Sequence, residues 1–341
     1  MESSLVLSLC IPTNGVLEWI NPVINSIYDG ISDYRKFEVI VTDNGNDESF
    51  EKAMKTFSEN HSNFRYYKTN AYMFLNQIEA FKLAKGQLIK FVNHRSMMRP
   101  GAVEYLISYA ENNSVNKPVT YFSNGVLALG KSINRYASFD DFVSNLSYYS
   151  SWSGGTAMWK SDFEKFDLNA EFNHLFPHTD LIFFNKTSKE YIIDNSLIMK
   201  EIPADVTKKG KYDLFNAFAV EYPRIIENLM NEKYISQKTF ESVIRKNREF
   251  VNRLYFDYIF RKLPCSYDLS GFEKSIGVYY SRRELCGNRV KNYIQAVIEA
   301  LKSKGKRYIS IIMAKEHKPA KSQLEKEEMN NEILPPEHKN T

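Results

Sequence analysis

Three short polar clusters in this chain carry side chains fit for chemistry: Thr13-Asn14, Asp43-Asn44 and Asn93-His94-Arg95. Each closes an apolar run, so all three gather if those runs are neighbouring strands of one sheet. A carboxylate such as Asp43 accepts hydrogen bonds from an imide or amide N–H. A guanidinium such as Arg95 can grip two phosphate oxygens at once. The third cluster contains no carboxylate. Asn93 is a weak ligand for a hard divalent cation and charged Arg95 is none at all, so this cluster points to anion binding rather than metal binding.

The surrounding pattern supplies the strands. Leu5–Ile11 is a continuous apolar run ended by Pro12-Thr13-Asn14-Gly15, and Phe37–Thr42 is a second ended by Asp43-Asn44-Gly45-Asn46-Asp47. Phe64–Lys68 and Gln87–Val92 read as a third and fourth. Leu17–Tyr28, Ser49–Asn60 and Leu75–Ala84 repeat apolar residues at helical spacing between them, and Gly86 is placed to close the last of these helices at its C′ position. Strands alternating with helices predict an α/β fold with a mostly parallel sheet covered on both faces, in which ligands bind beyond the carboxyl ends of the strands. Further on, Ala102–Asn112 reads as a helix, Val119–Phe122 and Val126–Leu129 as strands, and Tyr191–Ile202 as one or two more. Beyond Asp213 the spacing is helical over Leu214–Met230, Gln237–Lys262 and Glu284–Lys302. Residues 315–341 are rich in Lys, Glu, Asn and Pro and lack the apolar content to order themselves.

Apolar content of 43% and charged content of 25% are those of an ordinary globular chain of 341 residues. Cys10, Cys265 and Cys286 form no C-x-x-C pair, which argues against a disulfide framework or zinc site and for a reducing compartment. Glu2 stands where a signal peptide would carry a basic residue, and no apolar run is long enough to span a bilayer, so the expected location is cytoplasmic. Acids outnumber bases before residue 186, and bases outnumber acids from there to 318. That asymmetry predicts an anionic neighbour, such as phosphate groups or the inner face of a membrane, or else a set of solvated helix faces. No nucleic-acid-binding module is recognisable.

The order Ile11-Pro12-Thr13, Glu38-Val39-Ile40-Val41-Thr42-Asp43-Asn44-Gly45-x-Asp47, Asn70 through Ala80-x-x-x-Ala84-Lys85-Gly86, then a strand ending near 93–95, resembles the family 2 glycosyltransferases of the GT-A fold. The resemblance covers roughly residues 5–200. It implies a catalytic domain over 1–205, with a donor half to about 100 and an acceptor half from about 101. A helical region over 206–314 and a disordered tail over 315–341 follow. It also implies a nucleoside-diphosphate-sugar donor and a hydroxyl acceptor on a glycan or lipid-linked glycan.

Carried over residue by residue, the resemblance makes Asp43 the carboxylate that holds the donor base, unless it is only a turn-former. Thr13 and Asn14 become nucleoside contacts, with Asn70, Gln77 and Asn93 around the nucleotide. The family's Asp-x-Asp metal motif falls on Asn93-His94-Arg95. Arg95, helped by His94 and by lysines of the Lys208, Lys209, Lys211 cluster, is then expected to neutralise the diphosphate without metal; Mg²⁺ or Mn²⁺ held through His94 is the alternative. Trp152, Gly154, Gly155 and Thr156 match the segment beside the acceptor, where small residues admit the donor sugar and an aromatic ring stacks on it. Asp180, the only acid between Asn173 and Asn185, falls at the general base, with His178 second; a helix-opening carboxylate is the simpler alternative. The expected role is inverting sugar transfer in surface-polysaccharide synthesis, O-antigen or capsule. A non-catalytic sugar-nucleotide or glycan-binding protein of an assembly complex is the alternative. The aromatic, basic run Arg253–Lys262 is expected to lie on an anionic membrane, or to pack against the catalytic domain or a second subunit.

Overall fold

The computed structural model describes residues 5–287 apart from 32, 168–170, 204 and 206–209, together with 293 and 298. The chain divides into two compact units, Met1–Leu285 and Cys286–Thr341, and the sheets and the candidate site belong to the first. Lys208, Lys209, the tail over 315–341 and most of the helix expected at Glu284–Lys302 lie outside the described residues.

The first unit begins as predicted: β1 (Leu7–Thr13), α1 (Leu17–Tyr28), β2 (Phe37–Asp43), α2 (Glu48–Asn60), β3 (Phe64–Lys68), α3 (Asn76–Leu83) and β4 (Leu88–Phe91). These four strands are parallel, in the order β3-β2-β1-β4. Then follow β5 (Ser96–Met98), α4 (Ala102–Asn113), β6 (Val119–Phe122), β7 (Ile133–Tyr136), α5 (Phe139–Leu146), β8 (Ala157–Trp159), α6 (Lys160–Phe163), α7 (Pro177–Ile182), β9 (Tyr191–Asp194) and β10 (Met199–Glu201). β8 joins the main sheet antiparallel to β4, β6-β9-β7 form a second sheet, and β5 pairs with β10. The helical part comprises α8 (Leu214–Asn216), α9 (Tyr222–Asn231), α10 (Gln237–Leu254) and α11 (Phe272–Ser275).

The strand pleat divides the core between two faces. Leu7, Leu9, Ile11, Val39 and Val41 point to one side, against Ile20, Val23, Ile24 and Ile27 of α1 and Val103 and Leu106 of α4. Cys10, Ile40, Ile89 and Phe91 point to the other, against Ile78 and Phe81 of α3. Covering both faces explains why β1 and β2 read as unbroken apolar runs.

Two local expectations change. Gly86 does not cap α3 in a left-handed conformation, because Ala84 is already extended (φ −67°, ψ 137°). Gly86 is required by close approach: a Cβ there would stand 2.5 Å from the Leu7 carbonyl carbon. Val126–Leu129 is not a strand. Asn124 and Gly125 turn the chain with φ of 54° and 76°, and the Asn195 side chain then takes both the N–H and the C=O of Leu127. The antiparallel partner of β9 is β7 instead.

The run Arg253–Lys262 also packs inward in part. Tyr255 and Phe256 are buried, the Tyr255 ring stacks on Phe272, and Arg253 and Arg261 both pair with Asp257. These groups are taken up by the helical region itself, while Phe260 stays exposed. Among the described residues no helix is long and apolar enough to cross a membrane.

Candidate active site

The carboxyl ends of β1, β2 and β4 bring the first three clusters together. Thr13 Oγ1 lies 2.8 Å from His94 Nδ1 and accepts from the Gly15 N–H, joining the ends of β1 and β4. Asn14 is exposed beside it, so of this pair the asparagine side chain is the one open to a ligand.

Asp43 is fully buried, and both its oxygens are engaged. Oδ1 accepts from the Gly45 N–H (2.7 Å); Oδ2 accepts from the Tyr66 hydroxyl (3.0 Å) and the Lys68 ammonium (3.1 Å). The turn-forming reading of Asp43 is therefore realised in the structure. A base could reach Oδ2 only by displacing Lys68, which is the one partner with an exposed side chain.

Asn70 is exposed and unbonded among the described residues. The asparagine that organises this corner is Asn76, whose amide donates to the carbonyls of Thr13 (3.2 Å) and Thr42 (2.8 Å) while its Oδ1 accepts from Thr69. Next to it Gln77 is buried, with an unpartnered Oε1. Asn76 was missed because, in sequence, an asparagine opening a helix looks like an ordinary cap.

At the end of β4, the Asn93 Oδ1 accepts from the Arg95 N–H (3.0 Å), a local turn that spends the best oxygen of the triplet. Trp19 of α1 fills the space between its neighbours: its ring meets His94 edge-on at 5.1 Å and lies under the Arg95 guanidinium at 5.4 Å. Burial and, next, the charge of Arg95 push the His94 imidazole down to about 3. His94 is neutral at physiological pH, so it adds a hydrogen bond but no positive charge, contrary to the expectation that it helps neutralise a diphosphate. Arg95 has no carboxylate partner among the described residues, and its Nε is buried without a hydrogen bond. These groups do not fit a divalent cation: a spent amide oxygen, a neutral imidazole tied to Thr13, and a guanidinium. Among the described residues no three His, Cys, Asp or Glu side chains gather as a metal site would require.

The second half of the site is held by side chains that reach for distant backbone. Lys90, fully buried on β4, donates to the carbonyls of Phe91 (2.7 Å) and Gly154 (2.5 Å) and has no acidic partner among the described residues; burial pushes it down to about 7. Tyr121 donates its hydroxyl to the carbonyls of Tyr149 (2.7 Å) and Trp152 (2.8 Å), and its ring lies so close to Gly155 that a Cβ there would stand 2.2 Å from it. Gly155 is thus small for Tyr121 and not for a sugar; Gly154, where a Cβ would meet nothing, remains open. Thr156 is buried with its hydroxyl unpartnered. Trp152 is 37% exposed, packed edge-on against Tyr149 at 4.7 Å.

On α7 the two candidate bases part company. His178 points inward: Nε2 lies 2.8 Å from the Ser151 carbonyl, Nδ1 is buried and unpartnered, and burial pushes the ring down to about 4. Asp180 is half-buried, accepts from the Asn173 N–H (2.7 Å), and is pushed up to about 6, chiefly by burial. A carboxylate near 6 is poised to accept a proton at neutral pH.

The fold agrees with comparisons to known proteins. The sequence matches "Glycosyl transferase family 2" over residues 8–177. Among solved structures, residues 1–349 of TarS from S. aureus align with a TM-score of 0.50 at 14% identity, over 88% of this chain and 83% of that one. A further TarS structure gives 0.51 at 13%, over 85% and 54%. TarS 1–349 in complex with UDP-GlcNAc gives 0.50 at 13%, over 88% and 92%. At such identities the likeness is one of fold. No curated protein matches the chain. With the family match covering the strands, turns and glycine segment that build this site, residues 8–177 of the chain belong to glycosyl transferase family 2, in the GT-A fold.

Proposed function

We propose that the protein transfers a sugar, with inversion, from a nucleoside diphosphate to a hydroxyl of a glycan or lipid-linked glycan, and that it does so without a metal. The observation that carries this reading is Arg95: an arginine with no carboxylate partner among the described residues, its Nε unsatisfied, at the strand end where the family's metal motif falls. Loss of the diphosphate leaving group needs positive charge beside it, and a fixed guanidinium supplies that charge with two directed hydrogen bonds. The family match and the UDP-GlcNAc bound to TarS support a nucleotide sugar as donor. Asp180 takes the proton of the acceptor hydroxyl as the anomeric carbon is attacked, and Trp152 offers its exposed face to a pyranose ring. Asn14 contacts the nucleoside, and Asp43 joins it once Lys68 moves aside. The product is a bacterial surface polysaccharide, O-antigen or capsule, assembled at the cytoplasmic face of the membrane.

The test is a transfer and donor-hydrolysis assay with and without EDTA, using UDP-, GDP-, dTDP- and CDP-sugars. Release of nucleoside diphosphate unaffected by EDTA supports the reading; complete loss restored by Mn²⁺ overturns its metal-free part. A second reading is a protein that binds glycan or sugar nucleotide without turnover. Binding of nucleotide with no release of nucleoside diphosphate from any donor would select it.

A further inference from the structure

Tyr72 and His174 are exposed side chains from opposite halves of the site whose rings meet, 5.8 Å between centroids and 47° apart. Tyr72 lies in the turn before α3 and His174 in the segment that leads into α7, and those two helices are in contact. Tyr72 is 65% exposed, so the fold itself does not cover this ring. Its backbone is nevertheless held in place. Asn44, just past the end of β2, donates to the carbonyls on either side of it, Ala71 (2.9 Å) and Met73 (3.1 Å). Met73 takes a left-handed conformation, φ 47°, which a residue other than glycine keeps only where its surroundings impose it. The Tyr72 hydroxyl and the His174 nitrogens make no hydrogen bond among the described residues.

The segment that carries His174 also fixes Asp180. The N–H of Asn173, the preceding residue, donates to the Asp180 carboxylate (2.7 Å). The Asn173 side chain then accepts from the N–H groups of Leu175 (2.9 Å) and Phe176 (3.0 Å), so the backbone is tied on both sides of His174. The corner between the two rings therefore lies one residue from the group that holds the proposed base.

A pyranose has an apolar face of C–H groups and a rim of hydroxyls. A tyrosine whose backbone is already fixed offers a flat face at small entropic cost, and an imidazole offers hydrogen bonds to the rim. A nucleobase would also stack on Tyr72, because Asn44 adjoins Asp43. The His174 side of the corner, joined to Asp180 and not to β2, favours an acceptor sugar instead. We propose that Tyr72 and His174 form an acceptor subsite beside Asp180, a pyranose lying against the Tyr72 ring with its hydroxyl rim toward His174 and Asp180. The inference rests on the reading of the protein as a glycosyltransferase with Asp180 as base, and adds the side chains that would bind its acceptor.

Saturation-transfer NMR of the full chain tests it, with the methyl pyranosides of glucose, galactose, N-acetylglucosamine and rhamnose as probes. Nucleoside diphosphates are titrated in parallel, and donor hydrolysis is assayed on the wild type. At least one glycoside should bind the wild type and bind Tyr72→Ala about 10-fold more weakly, as for loss of a stacked ring, with nucleoside diphosphate affinity and Tm unchanged. Tyr72→Phe, which keeps the ring face, should restore most of that affinity, and His174→Ala should lose about 5-fold, as for one neutral hydrogen bond. If Tyr72→Ala loses affinity for nucleoside diphosphate instead, the ring belongs to the donor base and the inference fails. It fails too if Tyr72→Ala binds every glycoside as the wild type does, or if none binds the wild type; donor hydrolysis by the wild type would then leave the transferase reading standing. A wild type that binds neither glycoside nor nucleoside diphosphate overturns both.

Discussion

The two halves of the candidate site, donor and acceptor in the proposed function, are built in different ways. In the donor half, two-residue turns shape each strand end, with Asn93 capping Arg95, Asp43 capping Gly45 and Thr13 capping Gly15, while the Thr13–His94 contact and the Asn76 amide tie one end to the next. In the acceptor half, single side chains hold backbone far away in sequence. Lys90 holds Gly154, Tyr121 holds Tyr149 and Trp152, and His178 and Thr179 hold Ser151 and Ser150. A site organised by local turns tolerates loss of one functional group without moving the rest. A segment hung on long-range bonds to buried groups loses its shape when one is removed, because the orphaned partner stays desolvated.

The largest effect expected from this contrast is at Asp180. Asp180→Asn should lower turnover by about 10²–10⁴-fold and leave donor affinity unchanged, measured as kcat beside a nucleotide titration. Wild-type turnover would remove Asp180 from the mechanism. Gly155→Ala comes next, in the long-range half. With Tyr121 in the way of a Cβ, it should destabilise the fold by about 1–3 kcal/mol or more in a denaturant titration. The corresponding Gly154→Ala, which meets nothing, should not.

Arg95→Met should weaken nucleoside diphosphate by about 10–100-fold without changing Tm appreciably, the signature expected of a locally organised donor site. A large fall in Tm would break the comparison. The pH profile supplies a smaller effect. As Asp180 ionises near 6, kcat should rise with pH through that value and then level, and the limb should vanish in Asp180→Asn.

Lys90 tests the dryness of the interior behind Gly154. Its folded value, about 7, lies below the 10.5 of an unfolded lysine, so the unfolded chain binds more protons between those values. The stability of the wild type relative to Lys90→Met should therefore rise from pH 7 to pH 10. A flat difference would mean that the ammonium is not held in a dry interior.

The donor half was legible because parallel strands covered on both faces are continuously apolar, and polar residues must begin where such strands end. That alone located Asn14, Asp43 and Arg95. The burial of Asp43 beneath Lys68 and Tyr66 was not legible, since the partners come from β3, a separate strand whose register only the sheet sets. Nor was the place of Trp19 on α1, whose ring touches both His94 and Arg95. In the acceptor half the glycine pair was visible but its purpose was not: one glycine answers to a tyrosine some thirty residues earlier. Val126–Leu129 shows the same limit, an apolar run whose hydrogen bonds go to a distant asparagine instead of a strand.

The sequence by itself determined the parallel sheet and the polar residues that close its strands, Arg95 among them. These follow from local patterning, which hydrophobic periodicity and turn chemistry express within a few residues. Tertiary structure decided which of those groups are open and which are spent. It neutralised His94 and His178 by burial, raised Asp180 toward neutrality, and buried Lys90 against a glycine carbonyl. Desolvation and hydrogen-bond partnership depend on what packs around a group in space, and no window of sequence contains that information.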